Sequence, residues 1–411
     1  MKRIGATRFF AGVLFAVVGW MAIVGVDAGA RTDRGRRQNG DSGGRTNVNA
    51  GPRYVRLKRV RIMDKTGFVG DLEALRVLIP ADWKFEGEVH WYPENKACPD
   101  VDNISSVTFR ASSPDGKTSF EKLPTEFWVW AENGSSREND RIKRCTLREP
   151  VSPQDYITQR LLPRLRPGAR VVSIEPAPTL GRAITALIAH NIVAPIYPGV
   201  RQTAKAEGAK VTYEVFLDGQ MARESILATV VTVLDQQPEY KSDGGHALQK
   251  YDNYYVIHAS GGYVARAAKN EEESSAAIFA RIFLSVLVNP RWIAGRKDIA
   301  SRYAHDSQIP DGVVPRVKIP EVPVSRPDEV RQKRTMESKL AHAREYDPTA
   351  VWLERFANPK TNENAALNGG FAFAWTNNLE EYILTNDAGF NPVAEFRENW
   401  TQLVRVGPDV P

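Results

Sequence analysis

Two long runs rich in β-branched residues, AKVTYEVFL and QMARESILATVVTVLD, meet at Asp218-Gly219. Asp-Gly is a favoured two-residue hairpin turn because both positions must tolerate positive φ. Two runs of this length around such a turn predict a long antiparallel hairpin, and a hairpin needs neighbours to bury its faces. The chain supplies them. YVRLKRVRI from Tyr54, then ALRVLIP and KFEGEVHWYP, alternate apolar and polar residues as strands do, with a break at Pro80-Ala81-Asp82. Residues 107–112 and 125–131 extend the β-rich half around a Pro114-Asp115-Gly116 turn. RVVSIEPAP and NYYVIHASG read as further strands.

Helical periodicity is confined to a few places. Ser152 can cap a helix whose first position is Pro153, with Tyr156, Ile157, Leu161, Leu162 and Leu165 as its stripe and Pro163 as a kink or stop. Residues 179–191 predict a second helix. Residues 271–289 predict a third, with Ile278, Phe279, Ile282, Phe283, Val286 and Leu287 on one face and Pro290 ending it.

The ends differ from this body. Lys2, Arg3 and Arg8 precede an uncharged run from Phe9 to Val26, and Ala28-Gly29-Ala30 follows. This is the pattern of a secretory signal, and the run is also close to the length of a membrane-spanning anchor. The expectation is an extracytoplasmic protein, periplasmic or secreted, with a membrane tether through residues 9–26 if the signal is retained. Between Arg31 and Ile62, ten Lys/Arg stand against Asp33 and Asp41, a local charge of +8. The first thirty residues carry +2 and the whole chain +6, so residues 63–411 carry −4. The basic character thus belongs to a polar tail, read as a disordered spacer over 31–53. Export and an acidic body exclude nucleic acid as the expected partner.

The chain has two cysteines, Cys98 and Cys145. Export favours a disulfide between them, and two buried free thiols are the alternative. The polar tail also contains Gly40-Asp41-Ser42-Gly43-Gly44, the letters around a trypsin-like serine. Every histidine follows Ser42, and a polar tail supplies no rigid oxyanion hole, so Ser42 is not read as a nucleophile.

Ile79-Pro80-Ala81-Asp82-Trp83, the helix at 153–166, the VTYEVFLDG hairpin and a last strand leading into an amphipathic helix with Ser285 near its end resemble the PsbP-like family in order. The resemblance covers about residues 54–292, with insertions at 93–124 and 131–150 that depart from it. It implies an α/β (α+β) fold in which helices flank an antiparallel sheet, an α/β/α sandwich. It also implies a binding or assembly factor. Residues 54–300 are taken as that domain and 301–345 as a proline-rich connector with a charged helix at 329–346. Residues 346–411 are taken as a small C-terminal β-rich module, with Phe371, Phe373 and Trp375 on one face and a turn at Asn377-Asn378.

Candidate chemistry is sparse. Glu86, Glu88 and His90 alternate along one strand face and could hold a metal or share a proton, although a solvated strand face has the same pattern. Trp128 and Trp130, and likewise Phe371, Phe373 and Trp375, could stack on a glycan or fill a partner groove; strands buried on both faces also look like this. The remaining histidines, His258 beside Ser260 included, show no metal or triad spacing and are read as surface or structural. No nucleotide-loop or nucleophile-elbow motif occurs, and no cofactor is expected. The leading expectation is a non-catalytic binding or assembly protein acting on an envelope protein or polymer. The alternatives are an exported hydrolase of envelope polymer and a glycan-binding protein using the Trp-rich strands.

Overall fold

The computed structural model describes residues 53–132, 144–189, 201–217, 219–238, 251–267, 271–321 and 353–406. The Asp218-Gly219 hairpin organises its largest sheet. Strands Arg201–Leu217 and Gln220–Pro238 keep one antiparallel register from Arg201↔Gln236 to Leu217↔Gln220. Gly219 takes φ +80° in the two-residue loop, a backbone region that glycine reaches without a Cβ clash.

Strand Tyr251–Ala267 lies on the other side of Gln220–Pro238, with one irregularity between Ser260 and Tyr263. That irregularity divides its far edge between two short partners. Glu126–Ala131 pairs with residues 254–259, and Ser119–Lys122 with residues 263–266. The Leu123 amide donates to the Gly262 carbonyl at 2.8 Å across the junction. Ser105–Ser112 and Lys84–Trp91 continue the sheet at one edge, and Arg170–Pro176 closes the other.

Residue parity along the long strands decides what covers each face. Tyr213, Ile226, Ala228 and Ile257 point to one side, where Trp128, Tyr156, Ile157, Leu161 and Leu162 pack on them. The covering segment runs through Pro153–Asp155, a π-helical turn Tyr156–Leu161, and Leu162–Leu165. Val231, Val233 and Ala206 point to the other side, beneath Leu180 and Ile184 of helix Pro178–Ala189. That helix sits directly on the strand: a Cβ on Gly181 would come within 2.6 Å of the Ala206 carbonyl oxygen.

A second sheet has the order Leu287–Val288, Leu72–Pro80, Tyr54–Asp64, Glu381–Thr385, Phe373–Thr376, Thr401–Gln402. A third joins Asn364–Asn368, Leu353–Ala357 and Val404–Val406. The main core lies between the first two sheets. Phe109, Phe120 and Tyr263 there meet Phe279, Ile282 and Phe283 of helix Glu272–Ser285, and Leu75, Val77 and Ile79 of the second sheet. Every pairing within the sheets is antiparallel. Among the described residues 48% are strand and 23% helix, so the fold is β-rich, and these strands fall into three sheets instead of one helix-flanked layer.

Two expectations change. Helix Glu272–Ser285 stops before residue 289, and Leu287–Val288 becomes a short strand on Leu72–Pro80. Pro290 then opens a further helix, Pro290–His305, which the sequence reading lacked. Asn289 caps it by accepting from the Arg291 amide at 3.0 Å, and proline fits the first turn because no amide is needed there. The C-terminal hairpin forms, with its strand Glu381–Thr385 paired to the first strand of the chain. The signal, residues 31–52 of the basic spacer with Ser42, and the helix expected at 329–346 lie outside the described residues.

Candidate functional site

Among the described residues, a compact group of four ionisable side chains lies inside the molecule. Asp100 caps the short helix Val101–Ile104 by accepting from the Asp102 amide at 2.8 Å, and that helix turns Asp102 inward. His258 enters from the middle of Tyr251–Ala267 and Arg296 from helix Pro290–His305. His258 Nδ1 lies 3.1 Å from Asp102 Oδ2 and 3.9 Å from Asp100 Oδ1. The Arg296 guanidinium donates to the other Asp102 oxygen at 3.2 Å, to Ser105 Oγ at 2.7 Å, to the Ser105 carbonyl at 2.9 Å and to the Val101 carbonyl. No side chain of the four is more than 3% exposed.

Burial splits the two carboxyls. It pushes Asp100 up to about 6, only partly opposed by His258. It acts on Asp102 in the same direction, but the hydrogen bonds and charges of His258 and Arg296 reverse it and leave Asp102 below the usual carboxylate range. For His258, burial works against the imidazolium, and Asp100 and Asp102 outweigh it, so its pKa is raised. Lys122 stands nearby, pushed down to about 8 by burial, and donates to the Val107 and Leu123 carbonyls at 2.9 and 3.3 Å.

Among the described residues, Asp100, Asp102 and His258 are the one His/carboxylate trio whose potential ligand atoms all lie within 4.8 Å of each other. A cation there would face Arg296, already bound to Asp102, and would have to break the His258–Asp102 contact. The arrangement works as an internal ion cluster that ties a strand, a short helix and a long helix together.

Two further buried carboxylates do similar work. Glu224 accepts from Arg166 Nε at 2.7 Å, Arg266 Nε at 2.8 Å and the Tyr213 hydroxyl at 2.6 Å, which pins the end of the 153–165 segment to the sheet. Asp64 Oδ2 accepts from the Trp91 and Trp292 indoles at 3.0 and 2.8 Å, and Oδ1 from the Thr66 and Gly67 amides, both at 2.9 Å.

The residues singled out from sequence fall elsewhere. Glu86, Glu88 and His90 lie on Lys84–Trp91 at the edge of the large sheet, with both glutamates exposed. His90 Nε2 lies 3.3 Å from Glu88 and 3.0 Å from Thr108 Oγ1, while Glu86 stands across from Arg110, so the three do not converge on a point. Trp128 is buried and stacks on Tyr156 at 5.9 Å between ring centres, which fits the buried-strand reading and corrects the alternative of an exposed stacking platform. Trp130 is half-buried against the same core. Phe373 and Trp375 lie on the second sheet, and Trp375 packs with Tyr54, Phe390, Phe396 and Trp400. Phe371 meets the Arg281 guanidinium at 5.6 Å. Cys98 and Cys145 are bonded, with Cα atoms 5.0 Å apart.

Sequence reading missed Asp100, Asp102, Glu224, Arg266 and Arg296. A signal existed for two of them. Glu224 shares its strand phase with Ile226, Ala228 and Val230, and Arg266 shares its phase with Val264, so each is a charge on an inward position. No family model matches the chain, and no curated protein matches it.

Proposed function

We propose that this chain is an exported, non-catalytic binding or assembly protein of the cell envelope, with its largest sheet and the helices on it forming a PsbP-like sandwich. The observation that carries this reading is the sealing of the ion cluster. Asp100, Asp102, His258 and Arg296 are the groups a hydrolase would draw on, yet each is enclosed and spends its hydrogen bonds on its neighbours. None of these side chains is more than 3% exposed, which supports a role in fixing three elements in place. The Cys98–Cys145 bond supports an oxidising compartment. The tip of the long hairpin presents Phe216 and Met221, a cross-strand pair more than 60% exposed, as apolar surface for a partner.

Fractionation of cells expressing the tagged full chain tests the first half. The protein is expected outside the cytoplasm, with both cysteines blocked to thiol reagents until reductant is added. Recovery in the cytoplasm with free thiols would reject export. Crosslinking from the hairpin tip tests the second half: a single stoichiometric envelope partner that is lost in the double variant Phe216→Ser, Met221→Ser is expected. Unchanged crosslinking in that variant removes the assembly surface.

A further inference from the structure

The segment over residues 153–165 covers one face of the large sheet as far as Ile257. Tyr255 points to the same side, because side chains alternate along a strand, and it is only half-buried. Trp130 stands directly opposite Tyr255 in the antiparallel pair with Glu126–Ala131. Opposite residues of such a pair leave the sheet on one side as neighbours. Both rings rest on the core at one surface and stay partly exposed at the other.

A line of polar side chains runs beside the rings. Asn253, two residues before Tyr255, shares its face and stands across from Gln236 of the neighbouring strand. Glu132 is exposed and lies two residues past Trp130. Its Oε1 accepts from the Tyr255 hydroxyl at 2.6 Å and its Oε2 from Asn253 Nδ2 at 2.8 Å, while Gln236 Nε2 donates to Asn253 Oδ1 at 3.1 Å. The two bonds to Glu132 hold its carboxyl below the usual carboxylate range, so it remains an acceptor. Hydrogen bonds between side chains at the surface add little to folding and cost rotamer freedom. What they provide is a surface already set in one shape, which lowers the cost of ordering it around a ligand. The line also retains capacity, since each amide brings two N–H donors and an acceptor, and each carboxylate oxygen accepts more than one bond.

We propose that Trp130, Tyr255, Glu132, Asn253 and Gln236 form a binding site for a neutral pyranose oligosaccharide. A pyranose ring presents a face of C–H groups and a rim of hydroxyls. The two aromatic rings offer flat apolar area to the face. The amides and the carboxylate offer the rim both donors and acceptors, which every hydroxyl needs. The charge also suits an uncharged occupant: the line of bonds holds no cation, and its one anion, Glu132, is engaged by two donors. The site goes beyond the envelope-partner reading and stands without it, since Gln236 lies at the opposite end of the long hairpin from Phe216 and Met221.

The full chain is titrated by calorimetry with chitotetraose and with cellotetraose, which share the linked pyranose rings and differ in the acetamido group. Saturable binding of either supports the site, and the preference between them identifies whether the acetamido group is read. Affinity is expected to fall about tenfold in Glu132→Ala and in Asn253→Ala, each with the melting temperature of wild type. Trp130→Ala is expected to abolish binding. Because Trp130 also packs on the core, Tyr255→Phe serves as the gentler change: it keeps the ring, removes the hydroxyl and is expected to weaken binding severalfold. The double variant Phe216→Ser, Met221→Ser is expected to bind sugar as wild type does, which separates this site from the partner surface. No saturable binding of either sugar, or equal affinity in wild type, Glu132→Ala and Asn253→Ala, overturns the proposal.

Discussion

Asp100 and Asp102 sit two residues apart and answer burial in opposite directions. Folded Asp100 holds its proton up to about pH 6, whereas the unfolded side chain releases it near 3.8. The native state binds more protons across that window, so this group's contribution to stability falls as pH rises from 3.8 through 6. Raised His258 continues the loss above 6.5, because the folded chain keeps its imidazolium longer than the unfolded one. Asp102, lowered, contributes stability above 3.8 that is lost as pH falls through its folded value. Asp100→Asn retains an oxygen for the Asp102 amide and removes a charge that burial opposes. Its stability relative to wild type is expected to climb between pH 4 and 7, by about 2–3 kcal/mol from the shift alone. Urea midpoints at four pH values measure it, and a difference that stays flat with pH would reject this account. Asp102→Asn is expected to act with the reverse sign, destabilising by about 3–5 kcal/mol at pH 7, since Arg296 and His258 lose their shared counter-charge inside the molecule. A midpoint equal to wild type would show that Arg296 is satisfied by the Ser105 and Val101 oxygens alone. This cluster was hard to read from sequence because its parts come from positions as far apart as 100 and 296 and no local spacing links them. His258 reads as surface or structural with the other histidines, and its partners were not legible at all.

At the scale of elements, the turn chemistry at Asp218-Gly219 and the β-branched runs around it were enough to place the longest hairpin in the molecule, because both signals are local. The helix Pro290–His305 was lost for an equally local reason: proline marks the end of one helix and the start of another with the same side chain. Asn289, whose side chain caps the next turn, was the residue that distinguished the two. The segment carrying Asp100 and Asp102 is held from its N-terminal side by the Cys98–Cys145 bond, which closes a separation of 47 residues. On the chain-entropy account, opening a loop of that size removes about 4 kcal/mol. Cys98→Ser with Cys145→Ser is therefore expected to lower the denaturation midpoint, and amides of Val101–Ile104 are expected to exchange hydrogen faster than those of the hairpin core. Exchange accelerated equally everywhere would mean that the bond stabilises the molecule globally, with no special hold on that helix.

At the scale of the whole molecule, the first described strand and the last hairpin share a sheet. Tyr54–Asp64 pairs with Leu72–Pro80 on one side and with Glu381–Thr385 on the other, through Val55↔Leu384 and Leu57↔Tyr382. Leu57 and Leu78 lie in one core with Leu384, Ala374, Phe356 and Leu367 from the C-terminal strands. Arg56 reinforces the contact by bonding Glu381 at 2.6 Å and lying over the Phe396 ring at 4.8 Å. A hairpin at 373–385 was legible from its own alternation, but its partner more than 300 residues upstream was not, because strand pairing at that distance leaves no mark in local sequence. The alternation from Tyr54 already reads as a strand; what it does not show is that Arg56, Arg59 and Arg61 pair with Glu381 and Glu380 of the C-terminal hairpin. If the C-terminal strands complete the sheet, a chain ended at residue 352 must expose the edge of Tyr54–Asp64 together with Leu57 and Leu78. Uncovered edges with apolar faces pair with other molecules. The shortened chain is expected to aggregate or to melt well below the full chain, and residues 353–411 alone are expected to be unfolded by circular dichroism. The full chain is expected to unfold in one cooperative transition. A soluble, monomeric shortened chain with the melting temperature of the full protein would make the C-terminal strands an appendage, and the shared core around Leu57 dispensable.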